Sequence, residues 1–208
     1  MMQQKERLEK QLDFIREIDK EKEIFRQTYL ADASRKENDA EHAWHMAVMC
    51  MILSEYAEHP IDKTKTMTML LIHDLVEIYA GDTYAYAGVD AEEIHQREYA
   101  AAEKLYGMLP EEQGIYFMNL WKEFEEGKSP EAQFARTMDR IQPMMLNAAT
   151  DGRAWKEHKV RLSQIMKRNE HTAEGSSVLW DYALKHFVMP HVESGEIIDD
   201  ETHSAELK

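Results

Sequence analysis

The chain has 208 residues with a formal charge of −15, enough length for one substantial core and no obvious linker that would divide it. Such an excess of acid disfavours a long phosphate polyanion as partner, because nucleic-acid affinity comes largely from Lys and Arg neutralising backbone charge. The apolar run 47–53 falls far short of the roughly 20 residues that span a bilayer. The charged start, without an apolar stretch after it, shows no secretory signal, so a cytoplasmic protein is expected. The single Cys50 lies inside that apolar run and reads as a small core hydrophobe.

In chain order, apolar residues recur at spacings of three and four, which predicts an all-α fold of about eight helices in one domain over 1–195. Leu8, Leu12, Ile15, Ile18 and Phe25 give a leading amphipathic helix within 1–30. Asp39 is placed to cap a second helix that runs to about Glu58, ahead of Pro60. Asp62 can cap a third, continuing to Tyr79 and stopped by Gly81. Asp90 with Glu93 opens a fourth through about Gly107, and Pro110 begins a fifth that Gly127 ends. Ser129-Pro130-Glu131 combines an N-cap, a first-turn proline and an acid at the positive end of the helix dipole, so it starts a sixth helix. Two more helical patterns follow near 155–168 and 177–192, and the acidic end, 196–208, is expected to fray.

Chemistry concentrates in three of these helices. In 70–82 the polar His73, Asp74 and Glu77 interrupt an apolar helix, and residues three and four apart share a face. Several buried acids together call for a cation, and a metal ion is the economical choice. A lone His-Asp pair is more readily a satisfied core histidine beside solvated acids. A second helix, however, carries His42 and His45 at i, i+3 in another apolar stretch, with His42 favoured as a ligand and His45 as a supporting or core histidine. Asp139 precedes Pro143 by four residues, where the missing N–H should kink or loosen the helix and aim the carboxylate inward. Its alternative is an ordinary helical Asp paired with Arg136 or Arg140.

Taken together, His42, His73-Asp74 and Asp139 resemble the ordered H…HD…D signature of the HD superfamily of metal-dependent phosphohydrolases. The run 35–42 (RKENDAEH) and His73-Asp74-Leu75-Val76-Glu77 with Gly81-Asp82 are similar to the branch that holds bacterial 5′-deoxynucleotidases. The resemblance implies that His42, His73, Asp74 and Asp139 bind one divalent metal, that Glu77 is the acid/base residue, and that Asp82 and Thr83 contact a sugar. One position departs from that branch. Where an Arg-Trp pair is expected upstream of the first histidine, this chain has Gln27-Thr28 with Arg26 one residue earlier, which separates the metal site from any firm choice of sugar.

Two imidazoles and two carboxylates suit Mn, Co, Fe, Ni or Zn better than Mg. Glu77, one turn past His73, is near enough to exchange a proton without ligating the ion. Arg26 and Arg35 are the expected phosphate donors, since guanidinium holds phosphate oxygens in a fork; Arg35 could equally be a structural ion-pair residue. Tyr84, Tyr86 and Trp155 could stack on a base or fill core. The expected activity is a phosphomonoesterase on a nucleoside 5′-monophosphate or similar small phosphorylated metabolite, as a homodimer, with no polynucleotide or membrane partner. The competing readings are an HD-type di-iron oxygenase that uses His45 or His95 for a second metal, and a non-catalytic nucleotide-binding module.

Overall fold

The computed structural model describes residues 2–82, 86 and 91–200. The expected leading helix ends early: α1 spans Met2–Glu17, a tight 3-10 turn follows at Ile18–Glu23, and Phe25–Tyr29 forms a strand, β1. It pairs antiparallel with β2 (Lys36–Asn38), placing Phe25 opposite Asn38 and Tyr29 opposite Lys36. Phe25 continues the apolar spacing of α1, but aromatic and β-branched residues at 24–29 fit a pleated ribbon better than a helix. The apolar stripe is also turned. Leu8, Leu12 and Ile15 are exposed, and Phe14 is the side chain that enters the core, stacked on Phe117 with ring centroids 6.2 Å apart.

Helix α2 (Asp39–Leu53) is capped by Asn38 rather than Asp39. The Glu41 N–H donates to Asn38 Oδ1 at 2.9 Å, and Glu41 Oε2 accepts from the Asn38 N–H at 3.2 Å, a capping box worth about 1 kcal/mol. Asp39 is thereby free of capping duty and is fully buried. The helix gives way at Ser54–Tyr56 to a 3-10 turn, short of the expected Glu58.

Asp62 does cap α3 (Lys63–Ile72), accepting from the N–H groups of Thr64 and Lys65 at 2.9 and 3.1 Å. The helix then tightens into a 3-10 turn at His73–Val76 before α4 (Glu77–Ala80), where Gly81 leaves with φ +75. In 3-10 geometry residues three apart eclipse one another. Glu77 therefore stands over Asp74, which a straight α-helix would offset.

Helix α5 is Ala91–Tyr106, and the expected cap Asp90 lies outside the described residues. Helix α6 (Glu111–Glu126) ends at Gly127 in the left-handed region, φ +62, where a side chain would also meet Arg136. Ser129 caps α7 (Pro130–Ala149) through the Ala132 N–H at 3.2 Å. That helix runs on through Pro143 without ending there.

The single helix expected near 155–168 is two, α8 (Arg153–His158) and α9 (Leu162–Arg168), because Lys159 between them takes φ +51. Then come α10 (Thr172–Gly175), α11 (Ser177–Ala183), a π turn at Leu184–Val188 and α12 (Met189–Glu193). Pro190, which has no N–H to donate, stands just past the π turn and accounts for the widened ladder. The first part of the expected frayed end is tied down. Ile197 is buried, Ile198 donates to the Val160 carbonyl, and Ser163 Oγ donates to Asp200 at 2.7 Å.

Apart from the small ribbon the fold is all-α. Its apolar core gathers Met46 and Cys50 of α2, Met69 and Leu70 of α3, Leu105 and Tyr106 of α5, Trp121 of α6 and Phe134 and Met138 of α7. Each such side chain contributes roughly 1.5–3 kcal/mol by leaving water. α7 packs against α2, α3 and α6, so residues on its inward face meet those helices and the turn at His73.

Candidate metal centre

Three elements converge where the core turns polar. α2 brings His42, the 3-10 turn brings His73 and Asp74, and α7 brings Asp139. Ligand-type atoms of His42, His73 and Asp139 all lie within 4.8 Å of one another. His42 Nε2 is 3.3 Å from Asp139 Oδ1, and His73 Nε2 is 3.1 Å from Asp74 Oδ2 and 3.9 Å from Asp139 Oδ1. Asp74 Oδ2 is also 3.9 Å from His42 Nε2. A cation about 2.1 Å from each nitrogen and oxygen sets neighbouring ligands roughly 3–4 Å apart, which these separations match.

The outer contacts prepare both imidazoles for that task. His42 Nδ1 contacts the Gln142 side-chain oxygen at 2.9 Å, and His73 Nδ1 contacts the Leu70 carbonyl at 3.0 Å. Both partners accept, so each ring directs an Nδ1–H outward and turns Nε2 toward the cluster. His73 Nε2 is buried and has no hydrogen-bond partner. A buried orphan of this kind fits a divalent cation. Gln142 completes the support by donating to Glu37 at 2.7 Å and contacting His45 Nδ1 at 3.2 Å.

Acids crowd the same region, and each alters the proton affinity of its neighbours. For Asp74, burial works against the charge but the His73 imidazole and the Arg26 guanidinium hold the carboxyl far below its ordinary range. Asp139 is likewise lowered, burial being outweighed by His42 and Arg140. Burial tends to discharge His73, yet Asp74 beside it pushes the imidazole up to about 9. Glu77 goes the other way: burial first, then the charges of Asp74 and Asp39, raise it well above the usual carboxylate range. The carboxyl of Glu77 hydrogen-bonds Asp39, which burial and Asp74 raise to about 6.

A cavity of about 310 Å³ opens beside the cluster, lined by His73, Asp74 and Asp139. It is large enough for a small metabolite. Glu77, Arg26 and Asp82 line it as well, whereas Thr83 lies outside the described residues. Arg26 is engaged from two sides, donating through Nη1 to Asp74 at 2.6 Å and to Asp39 at 3.0 Å.

Arg35 is not brought to this place. Its guanidinium forks onto Glu41 and donates to the Lys36 carbonyl at the surface, so the ion-pair reading of Arg35 is the one its surroundings support. Trp155 and Tyr86 line the cavity, although Trp155 is almost wholly buried and packs edge-on against His191; Tyr84 is outside the described residues. Neither spare histidine joins the cluster. His45 contacts Gln142, and His95 stacks on Trp121.

Four residues escaped the sequence reading. Asp39 passed as a cap. Gln142 follows Asp139 by three, so the shared-face rule could have found it. Arg140 and Arg168 both line the cavity; Arg140 reads as a helical ion-pair residue, and nothing local marks Arg168.

The HD domain family model matches residues 18–180. The human 5′-deoxynucleotidase HDDC2 is 30% identical over 139 residues, and its bovine counterpart 31% over 139 residues. The match covers 66% of this chain and 66% of each of those proteins, just under two thirds of their length. A solved structure of a predicted metal-dependent phosphohydrolase from Magnetospirillum magnetotacticum MS-1 superposes with a TM-score of 0.86 at 42% identity, covering 92% of this chain and 95% of that one. With nearly the whole fold and the cluster-bearing helices inside these matches, the chain belongs to the HD domain family.

Proposed function

We propose that this protein is a metal-dependent phosphomonoesterase acting on a nucleoside 5′-monophosphate or a similar small phosphate. The observation that carries it is the meeting of two Nε2-presenting imidazoles and two carboxylates at the edge of a cavity of metabolite size. His42, His73, Asp74 and Asp139 are the ligands of one divalent cation. Mn, Co, Fe, Ni or Zn suits this mixed donor set better than Mg. When bound, such an ion supplies a Lewis acid and brings the pKa of a coordinated water toward 7.

The chain's own groups supply the rest. Burial and the charges of Asp74 and Asp39 favour the protonated form of Glu77, which is placed to give that proton to a leaving alkoxide. Arg26 locks the Asp74 carboxylate in position, and Asp82 offers a carboxylate to a sugar hydroxyl. The nucleotide class is supported by relatives named 5′-deoxynucleotidase. Trp44, Met51 and Ile52 share an exposed face of α2 that a second copy would bury in a homodimer.

The deciding experiment is phosphate release from a panel of nucleoside and deoxynucleoside monophosphates with each metal in turn. Metal-dependent release that collapses in Glu77→Gln is expected. Tight nucleotide binding with no turnover under any metal would sink the enzymatic reading in favour of a sensing module.

A further inference from the structure

Four arginines line the cavity, and their partners differ. Arg26 is taken by Asp74 and Asp39. Arg136 donates to the Glu125 carbonyl at 2.7 Å. Arg140 and Arg168 are not matched in this way. Arg140 Nε is 3.8 Å from Asp139 Oδ2, a loose ion pair, and its Nη1 is buried without a hydrogen-bond partner. Arg168 is the last residue of α9, and its guanidinium has no hydrogen bond or ion pair among the described residues. Burial and then the neighbouring charge of Arg140 lower Arg168 to about 10, and both arginines line this same cavity.

Carboxylates are not scarce in this chain, which has 40 acids to 25 basic residues. Two guanidinium groups on one cavity wall, held between them by a single 3.8 Å ion pair to Asp139, are poised for another anion. The charge that the two arginines carry indicates which: together Arg140 and Arg168 bring two positive charges to the cavity wall, as many as the negative charges on a phosphate monoester above its second ionisation near pH ~6.

We infer that Arg140 and Arg168 form a clamp that holds the substrate's phosphate beside Asp139 and selects dianionic phosphomonoesters over singly charged phosphodiesters. This deepens the phosphohydrolase reading and rests on it for the identity of the substrate. Arg140 sits one residue from a metal-site carboxylate, so an anion between the two arginines also reaches the cation's side of the cavity. Guanidinium forks suit the non-bridging oxygens of phosphate.

The test is calorimetric binding of inorganic phosphate to the metal-loaded protein, with metal content measured on every sample. Arg140→Gln and Arg168→Gln should each weaken phosphate about tenfold or more, the usual loss for a hydrogen bond to a charged group, without lowering bound metal. Arg168→Lys should recover part of the affinity. For a nucleoside monophosphate, KM should rise more than kcat falls, and the preference for a monoester over a diester should shrink.

Phosphate affinity unchanged in both Gln variants overturns the clamp, as does a metal-loaded wild type that binds no phosphate. If Arg140→Gln fails to fold or to hold metal, Arg168→Gln and Arg168→Lys decide alone. Arginine-dependent phosphate binding without hydrolysis of any monoester leaves the clamp and removes the phosphohydrolase reading. Hydrolysis insensitive to both arginines does the reverse.

Discussion

The two sides of the inward face of α7 make opposite use of burial. Toward α5 and α6, Leu105, Tyr106 and Trp121 are closed off from water in apolar contacts, and the Tyr106 hydroxyl donates to the Ile72 carbonyl at 2.9 Å. Toward α2 and the His73 turn, one buried polar atom on each of six side chains has no hydrogen-bond partner: Glu21 Oε1, Glu37 Oε2, Asp39 Oδ2, His73 Nε2, Glu77 Oε2 and Arg140 Nη1. Every unsatisfied group of this kind costs about 1–3 kcal/mol. The apolar side supplies stability that the polar side consumes, and the polar side is arranged for ligands absent from the bare chain.

Four measurements can break or sharpen that contrast. The largest effect is expected from Glu77→Gln, which should lower kcat by about 10²–10⁴ while bound metal, measured by elemental analysis, stays at the wild-type level. Loss of metal in step with activity would instead make Glu77 a ligand. On the apolar side, Leu105→Ala should lower unfolding free energy by about 2–5 kcal/mol in denaturant melts and leave metal affinity as it was. A large fall in metal affinity there would show that the two sides are not separable.

Next in size is the response to cation itself. Saturation at a hundred times Kd should stabilise the wild type by about 2.7 kcal/mol, and chelator should remove that gain. A melting temperature indifferent to every divalent metal contradicts a polar side built for a cation.

The smallest effect concerns Glu98, which burial and then Glu125 and Asp74 push up to about 7. An acid whose pKa rises on folding favours the folded state below its unfolded value of 4.5 and loses that contribution as pH rises through 7. In metal-stripped protein, Glu98→Gln should therefore be more stable than wild type at pH 8, and the advantage should vanish below pH 4.5. An equal difference at both pH values points to packing instead.

Local chemistry made much of the fold legible. Asp62, Ser129 and Gly127 do at helix ends what their side chains, or the lack of one, suit them for. The leading segment misled because Phe25 falls at a helical spacing while its neighbours prefer a ribbon, and that ribbon is what carries Arg26 to Asp74. At the site, His73, Asp74 and Glu77 were readable because a few residues hold all three. Arg35 and Arg168 were not. One lies near the motif in sequence and is drawn outward by Glu41; the other is remote in sequence and reaches the cavity only through the packing of α9. Spacing along a chain reports which residues share a helix face, not which helix ends meet.

The tightened turn at His73–Val76 sets a rule for how this segment can change. With three residues to each turn, every position advances roughly 120° around the axis, so Asp74 and Glu77 coincide in angle only while two residues separate them. One residue inserted there would swing Glu77 a third of a revolution away from the cavity, and one removed would do the same in the other sense. The distance between these two acids is therefore a ruler with a single graduation: side chains at 75 and 76 can be exchanged for others of their size, but their number cannot.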